Sequence, residues 1–112
     1  VGKGQGAAAE RVAGLLVVVT PRALRHIQSA KTWSEQHRGT VSPIVDEIDR
    51  ALEDLLVSPE SGAPVRWKMR TQRLRRVILF RIGYHLYYRV NAARSRLEIV
   101  GFWHERRRPP RW

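Results

Sequence analysis

The chain contains no cysteine. Disulfides and thiolate metal sites are therefore excluded, and stability has to come from a packed core. No apolar run approaches the roughly 20 residues that a membrane span needs. The N-terminal stretch VGKGQGAAAERVAG has no charged-then-apolar pattern ending at a secretory cleavage site. The expectation is a cytoplasmic protein without membrane contact. Gly62–Pro64 lacks the lysine and the following helix of a phosphate-binding loop. His26 has no histidine or acid four residues on, so neither metal nor cofactor is expected.

Acidic residues are scarce in one half only. Residues 1–64 hold seven Lys and Arg against eight Asp and Glu; residues 65–112 hold fourteen against two, a net of +12. Charge this concentrated repels itself unless something neutralises it. It draws in phosphate backbones or an acidic partner.

With 112 residues, one domain is the default. Residues 1–14 read as a flexible tail with a short helical turn over Ala7–Val12, and 15–112 as the domain. Leu15–Val19 is a short β-branched run of the kind buried on both faces. Thr20-Pro21 then supplies an N-cap and a first helical residue. Leu24, Ile27, Ala30 and Trp33 or Ser34 keep near-helical spacing up to Gly39. Ser42-Pro43 starts a second helix in the same way, with Asp46 and Glu47 at its positive end. Its stripe is Ile44, Ile48, Leu52, Leu55 and Leu56. The short link predicts a helical hairpin. SPESGAP (58–64) is turn-rich, and Val65–Met69 suits a short edge strand or extended loop.

Three strands follow, over 77–82, 84–90 and 97–103. Alternation puts Leu86, Tyr88 and Val90 on a core face, opposite His85, Tyr87 and Arg89. It sets Leu97, Ile99 and Trp103 against Glu98, Val100, Phe102 and His104. The Ile82-Gly83-Tyr84 link predicts a tight hairpin, pairing His85 with either Ile82 or Arg81. ERRRPPRW (105–112) cannot extend the sheet as a regular strand. The fold class is α+β in the order β-α-α-β-β-β. The N-terminal strand and helical hairpin pack on one face of a small, mainly antiparallel sheet.

This order resembles the RelE/ParE superfamily, the toxins of bacterial type II toxin–antitoxin systems. The residues that carry the likeness span roughly Leu15 to Pro110. They are Ile48-Asp49-x-Ala51-Leu52-x-x-Leu55, Pro59-x-x-Gly62, Arg75-Arg76-Val77, Tyr84 to Val90 (YHLYYRV) and Trp103-His104-x-Arg106-Arg107. The last two are most similar to the ParE branch. The resemblance implies a toxin neutralised by a cognate antitoxin. ParE-branch toxins poison DNA gyrase without being enzymes. RelE-branch toxins are mRNA interferases, which cut mRNA inside the ribosome.

RNA cleavage of that kind needs a base, cations and an acid around one phosphate. If the chain is RelE-like, the resemblance implies His104, Arg81 and His85 as the catalytic candidates. Two residues depart from the nuclease pattern. Glu105 stands where such relatives have tyrosine after the histidine, and His85 where several have arginine. These departures favour the gyrase branch. Arg73, Arg75, Arg76, Tyr87, Arg89, Arg106 and Arg107 are the candidates for partner or nucleic-acid contact. Both targets, gyrase or ribosome with mRNA, stay open at this point.

Overall fold

In the computed structural model the apolar stretches pair into one six-stranded sheet, with both helices on one face. The structure describes residues 11–12, 14–38, 43–65 and 73–108. The elements are β1 (Arg11–Val12), β2 (Leu15–Val19), α1 (Pro21–Arg38), α2 (Ile44–Val57), β3 (Ala63–Pro64), β4 (Arg75–Leu79), β5 (Tyr84–Asn91) and β6 (Arg96–His104). A 3-10 turn over Ala92–Arg94 joins β5 to β6. The order across the sheet is β1-β2-β6-β5-β4-β3. Among the described strands, only β2 and β6 run parallel. The α+β architecture expected from the sequence is therefore the one observed. No helix among the described residues is long and apolar enough to cross a membrane.

Local chemistry explains the helix starts. The Thr20 hydroxyl accepts the Ala23 N–H at 3.2 Å, so Thr20 caps α1 ahead of Pro21. α2 begins at Ile44, one residue later than expected, with Pro43 in the cap position; the Ser42 cap and the Gly39 stop lie outside the described residues. All five stripe residues of α2 are buried, together with Ala51. α1 differs from its expected stripe. Ala23, Ala30 and Ser34 are buried and Ile27 packs on the core, while Leu24 is 47% exposed and Trp33 51%. Small residues bring α1 close to the sheet and leave its larger ones outside.

The strands hold further corrections. Arg11–Val12, where a helical turn was expected, is a strand that pairs with Leu15–Leu16; Ala7–Glu10 lie outside the described residues. β2 is fully buried only at Val17, because only β1 lies between it and the sheet edge. β4 starts two residues before its expected position, since Arg75 and Arg76 pair with Tyr88 and Tyr87. Its last pair is Leu79 with Tyr84, which leaves a four-residue loop, Phe80–Gly83. His85 therefore pairs with Ile78 and with neither expected partner. Gly83 takes φ +70°, a left-handed conformation that suits glycine. Ile82 turns into the core from this loop. Of the expected 65–69 strand, only Val65 is described. Its N–H bonds the Leu74 carbonyl at 2.9 Å and extends the β3–β4 hairpin.

A β-bulge decides which residues face which way. Tyr87 pairs with Gly101, but Tyr88 pairs with Ile99, so Val100 is an extra residue in β6. One extra residue reverses the alternation beyond it. Leu97, Ile99 and Phe102 therefore face the helices, while Val100 and Trp103 belong to a second cluster with Leu74, Tyr87 and Val65. The expected grouping fails beyond Val100: Trp103 leaves the side of Leu97 and Ile99, and Phe102 and His104 join that side. The expected division of β5 holds: Leu86, Tyr88 and Val90 pack under the helices.

Candidate partner-binding surface

The three residues implied for catalysis sit at one end of the sheet but point different ways. His104 pairs with Tyr84 across β5 and β6, and the two rings meet edge to face at 5.0 Å. Tyr84 stacks on Phe102 of the helix-side core at 4.5 Å, which places His104 on the helix side. His85 pairs with Trp103 and approaches Tyr87 at 6.3 Å, on the opposite face. Arg81 stands in the β4–β5 loop, 71% exposed, and reaches Glu47 of α2 at 3.8 Å. The His104 Nδ1 already accepts the Arg106 N–H at 3.1 Å. Burial lowers the pKa of His85, the nearby Arg76 lowers it further, Glu105 opposes, and His104 lowers it again, so the two histidines feel each other's charge although they face opposite sides of the sheet. The structure does not gather these three groups around one point.

The expected contact residues fall into three groups. Arg73, Arg75 and Arg89 line a groove of about 490 Å³ beside Glu60 and Asn91. Of these three arginines only Arg73 is exposed. One Arg75 nitrogen donates to the carbonyls of Glu60 (2.9 Å) and Gly62 (2.7 Å), so this cation pins the 58–64 loop. Arg89 binds Glu98 at 2.6 Å, its direct partner across the strands. Glu98 is 7% exposed, so the pair is nearly buried. Arg76 is half-buried, and its Nε has no hydrogen-bond partner among the described residues. Tyr87 is 2% exposed, so it holds the second cluster together and offers no surface to a partner.

Arg106 and Arg107 belong to a folded turn after β6. The Arg107 N–H bonds the His104 carbonyl at 3.1 Å, and its guanidinium lies 4.3 Å above the Trp103 ring. The Trp103 indole N–H donates to the Arg108 carbonyl at 2.6 Å. The ERRR stretch is thus anchored through residue 108, and the remainder of the expected tail lies outside the described residues.

Three structural roles were not read from the sequence. Tyr88 donates to the Pro59 carbonyl at 2.8 Å and accepts the Gly62 N–H at 2.9 Å, so it clamps the loop that edges the groove. Its pKa is raised, chiefly by burial, which keeps the phenol protonated as the donor this bond needs. His26 of α1 accepts the Phe102 N–H at its Nδ1, 3.2 Å away. Beyond Ile99, β6 has no strand on its β2 side among the described residues, and His26 satisfies the edge there. Burial lowers the His26 pKa, and Arg22, Arg25 and Arg107 lower it further, so the acceptor form is favoured. The third is the Arg89–Glu98 pair. Opposite charges nine residues apart were visible in the sequence, but their pairing needed the register.

The model of the ParE toxin of type II toxin–antitoxin systems, parDE, matches residues 17–109. Comparison with curated proteins returns no match. Among solved structures the chain is similar to the isolated RelE toxin of E. coli, with TM-score 0.57 and 19% identity over 82% of this chain and 85% of that one. It is also similar to the archaeal RelE–RelB complex from Pyrococcus horikoshii, with TM-score 0.57 and 15% identity over 84% and 98%. The toxin–antitoxin complex RelBE2 from Mycobacterium tuberculosis gives TM-score 0.53 and 21% identity over 79% and 94%. At these identities the structural likeness concerns the fold. The family model spans most of the chain and agrees with the strand–helix–helix–sheet order, so this chain belongs to the ParE toxin family of type II toxin–antitoxin systems.

Proposed function

We propose that this toxin is neutralised by a cognate antitoxin and that, when free, it arrests growth by protein contact with DNA gyrase in the cytoplasm. The observation that carries the target is the divergence of the three groups a nuclease would need. Acid–base cleavage requires its base, acid and cation within hydrogen-bond reach of one phosphate. Here His104 and His85 lie on opposite faces of the sheet, and Arg81 faces Glu47 on α2. A protein-contact toxin has no such requirement. It needs a shaped, charged surface, and the half of the chain that forms β4, β5 and β6 carries the excess positive charge. On this reading the groove at Arg73, with Arg75 and Arg89 behind it, is the face offered to the target. The relatives solved as complexes with antitoxins support the antitoxin half of the proposal.

Two assays run side by side test it. The purified chain is added to a gyrase supercoiling reaction and to a ribosome-programmed mRNA cleavage reaction. Inhibited supercoiling with uncut mRNA is the expected result. His104→Gln keeps a side-chain acceptor for the Arg106 N–H but removes the acid–base group, so it should still arrest growth. Cut mRNA, with loss of both cutting and arrest in His104→Gln, would overturn the proposal in favour of ribosome-dependent cleavage.

A further inference from the structure

The end of the sheet where β5 turns into β6 gathers arginines from three successive strands. Arg73 precedes β4 and Arg75 opens it, Arg89 stands near the end of β5, and Arg96 opens β6 opposite Asn91. Arg94 is exposed in the 3-10 turn between β5 and β6. The acids beside these five cations are Glu60, on the groove wall, and Glu98, bonded to Arg89. Positive charge is therefore in excess here, and it is spread along the groove and the turn that continues it.

Two of the cations are oriented before any ligand arrives. Arg75 gives one terminal nitrogen to the Glu60 and Gly62 carbonyls, and Arg89 gives its Nε to Glu98. A guanidinium has five N–H donors in a rigid fork, so each keeps several for a ligand. A fork already fixed loses less freedom on gripping an anion than a free side chain does. The 58–64 wall is itself held by the Tyr88 clamp.

The rest of the lining decides which anion fits. The groove encloses about 490 Å³, and its apolar lining among the described residues is Val90 and Ala92, with no aromatic ring. A protein partner gains most of its affinity from aromatic or aliphatic anchors in desolvated pockets. Unpaired bases need an aromatic platform to stack on. Neither has a seat here. Guanidiniums beside the Asn91 amide suit phosphate oxygens, which position a nucleic acid without reading its sequence.

We infer that this groove and the turn beside it grip the phosphate backbone of duplex DNA, by charge and without base readout. The inference rests on the reading above that this face meets gyrase, and it names what the groove holds there, the DNA on which gyrase works.

The probe is a fluorescein-labelled duplex of about 14 base pairs, titrated with the full chain and read by anisotropy from about 0.05 to 0.2 M salt. It should bind, with affinity falling linearly on logarithmic axes as salt rises. Arg73→Ala combined with Arg94→Ala removes two exposed cations and spares the two that pin the structure. This pair should weaken binding at least about tenfold and lower the salt slope by about 1.8, at about 0.9 per phosphate contact. Arg25→Ala with Arg108→Ala removes the same charge from exposed positions at the other end of β6, and should stay within about twofold. Equal losses in the two pairs overturn the inference, since the attraction would then belong to the whole chain's charge. So does no binding. So does labelled polyglutamate that binds as tightly with the same dependence on Arg73 and Arg94, because the groove would then take an acidic protein. Supercoiling assays separate the two proposals. A parent chain that leaves gyrase uninhibited yet binds the duplex through Arg73 and Arg94 refutes the gyrase reading and leaves the site standing. An Arg73→Ala, Arg94→Ala protein that inhibits gyrase as fully as the parent refutes the groove's hold on gyrase's DNA and leaves the gyrase reading standing.

Discussion

Gly62→Ala should destabilise this protein by about 2–4.5 kcal/mol. A Cβ built on Gly62 would lie 2.5 Å from the Tyr88 hydroxyl oxygen and 2.7 Å from Cε1 of the same ring. Carbon–carbon contacts prefer about 3.5–4.0 Å, so the ring or the loop has to move by about 1 Å. The ring has little freedom, because Tyr88 is 0% exposed in the middle strand of the β4–β5–β6 meander. A shift of that size takes the 2.8 Å bond to Pro59 and the 2.9 Å bond from Gly62 past useful hydrogen-bond length. Two lost bonds cost about 1 kcal/mol each, and overpacking adds about 1–3. Lower entropy of the unfolded chain returns about 0.4–1 kcal/mol. The net corresponds to a fall in Tm of about 10–20 °C for a domain of this size. Urea unfolding with an unchanged m-value is the assay. Tyr88→Phe should cost about 2 kcal/mol by itself. In the Tyr88→Phe background Gly62→Ala should cost at least about 1 kcal/mol less, since the closest contact is gone. A Gly62→Ala protein as stable as the parent, or more stable, would refute the clamp.

Two further perturbations test other parts of the structure. Arg89→Met should cost about 3 kcal/mol in urea unfolding, because it leaves the Glu98 carboxylate buried without its cation. Adding Glu98→Leu to that variant should recover much of the loss. For His26, whose pKa is lowered on folding, the unfolded chain takes up the proton first. Its stabilising contribution is complete above the ordinary histidine value of about 6.5 and declines as pH falls through the depressed folded value. His26→Gln can still accept the Phe102 N–H but does not titrate, so its urea midpoint should fall less between neutral and mildly acidic pH. A residual decline is expected from His85, which is shifted in the same direction.

The elements of the fold were legible because each rests on a local cause. Thr20-Pro21 starts a helix, five apolar residues of α2 fall on one face, and YHLYYRV alternates. What was not legible depends on pairing at a distance. Val100 gives no local sign of being an extra residue, since any apolar β-branched residue fits a regular strand. Its effect on Phe102 and Trp103 appears only once Tyr88 is known to pair with Ile99. Arg75 and Arg76 fell outside the expected 77–82 strand because charge masks a strand whose pairing is through its backbone. Phe80 and Ile82 read as strand because they are apolar, yet one is 84% exposed and the other is a buried loop residue. The site was legible as a population of cations and not as a geometry. Its division into a pinned arginine, a nearly buried ion pair and a turn folded on Trp103 is set by contacts between residues that the sequence separates.

The place of β6 in the sheet bears on how the protein comes into being. The final strand joins β2, made early in translation, to β5. A nascent chain that has emerged only as far as Arg94 holds both helices and five strands, but the sheet is in two pieces with their shared edge missing. Vectorial synthesis therefore cannot assemble this molecule from its start, and the whole core closes in one late, long-range step. Until translation passes His104, the two pieces lack the strand that joins them, and Tyr84 lacks its partner across the sheet.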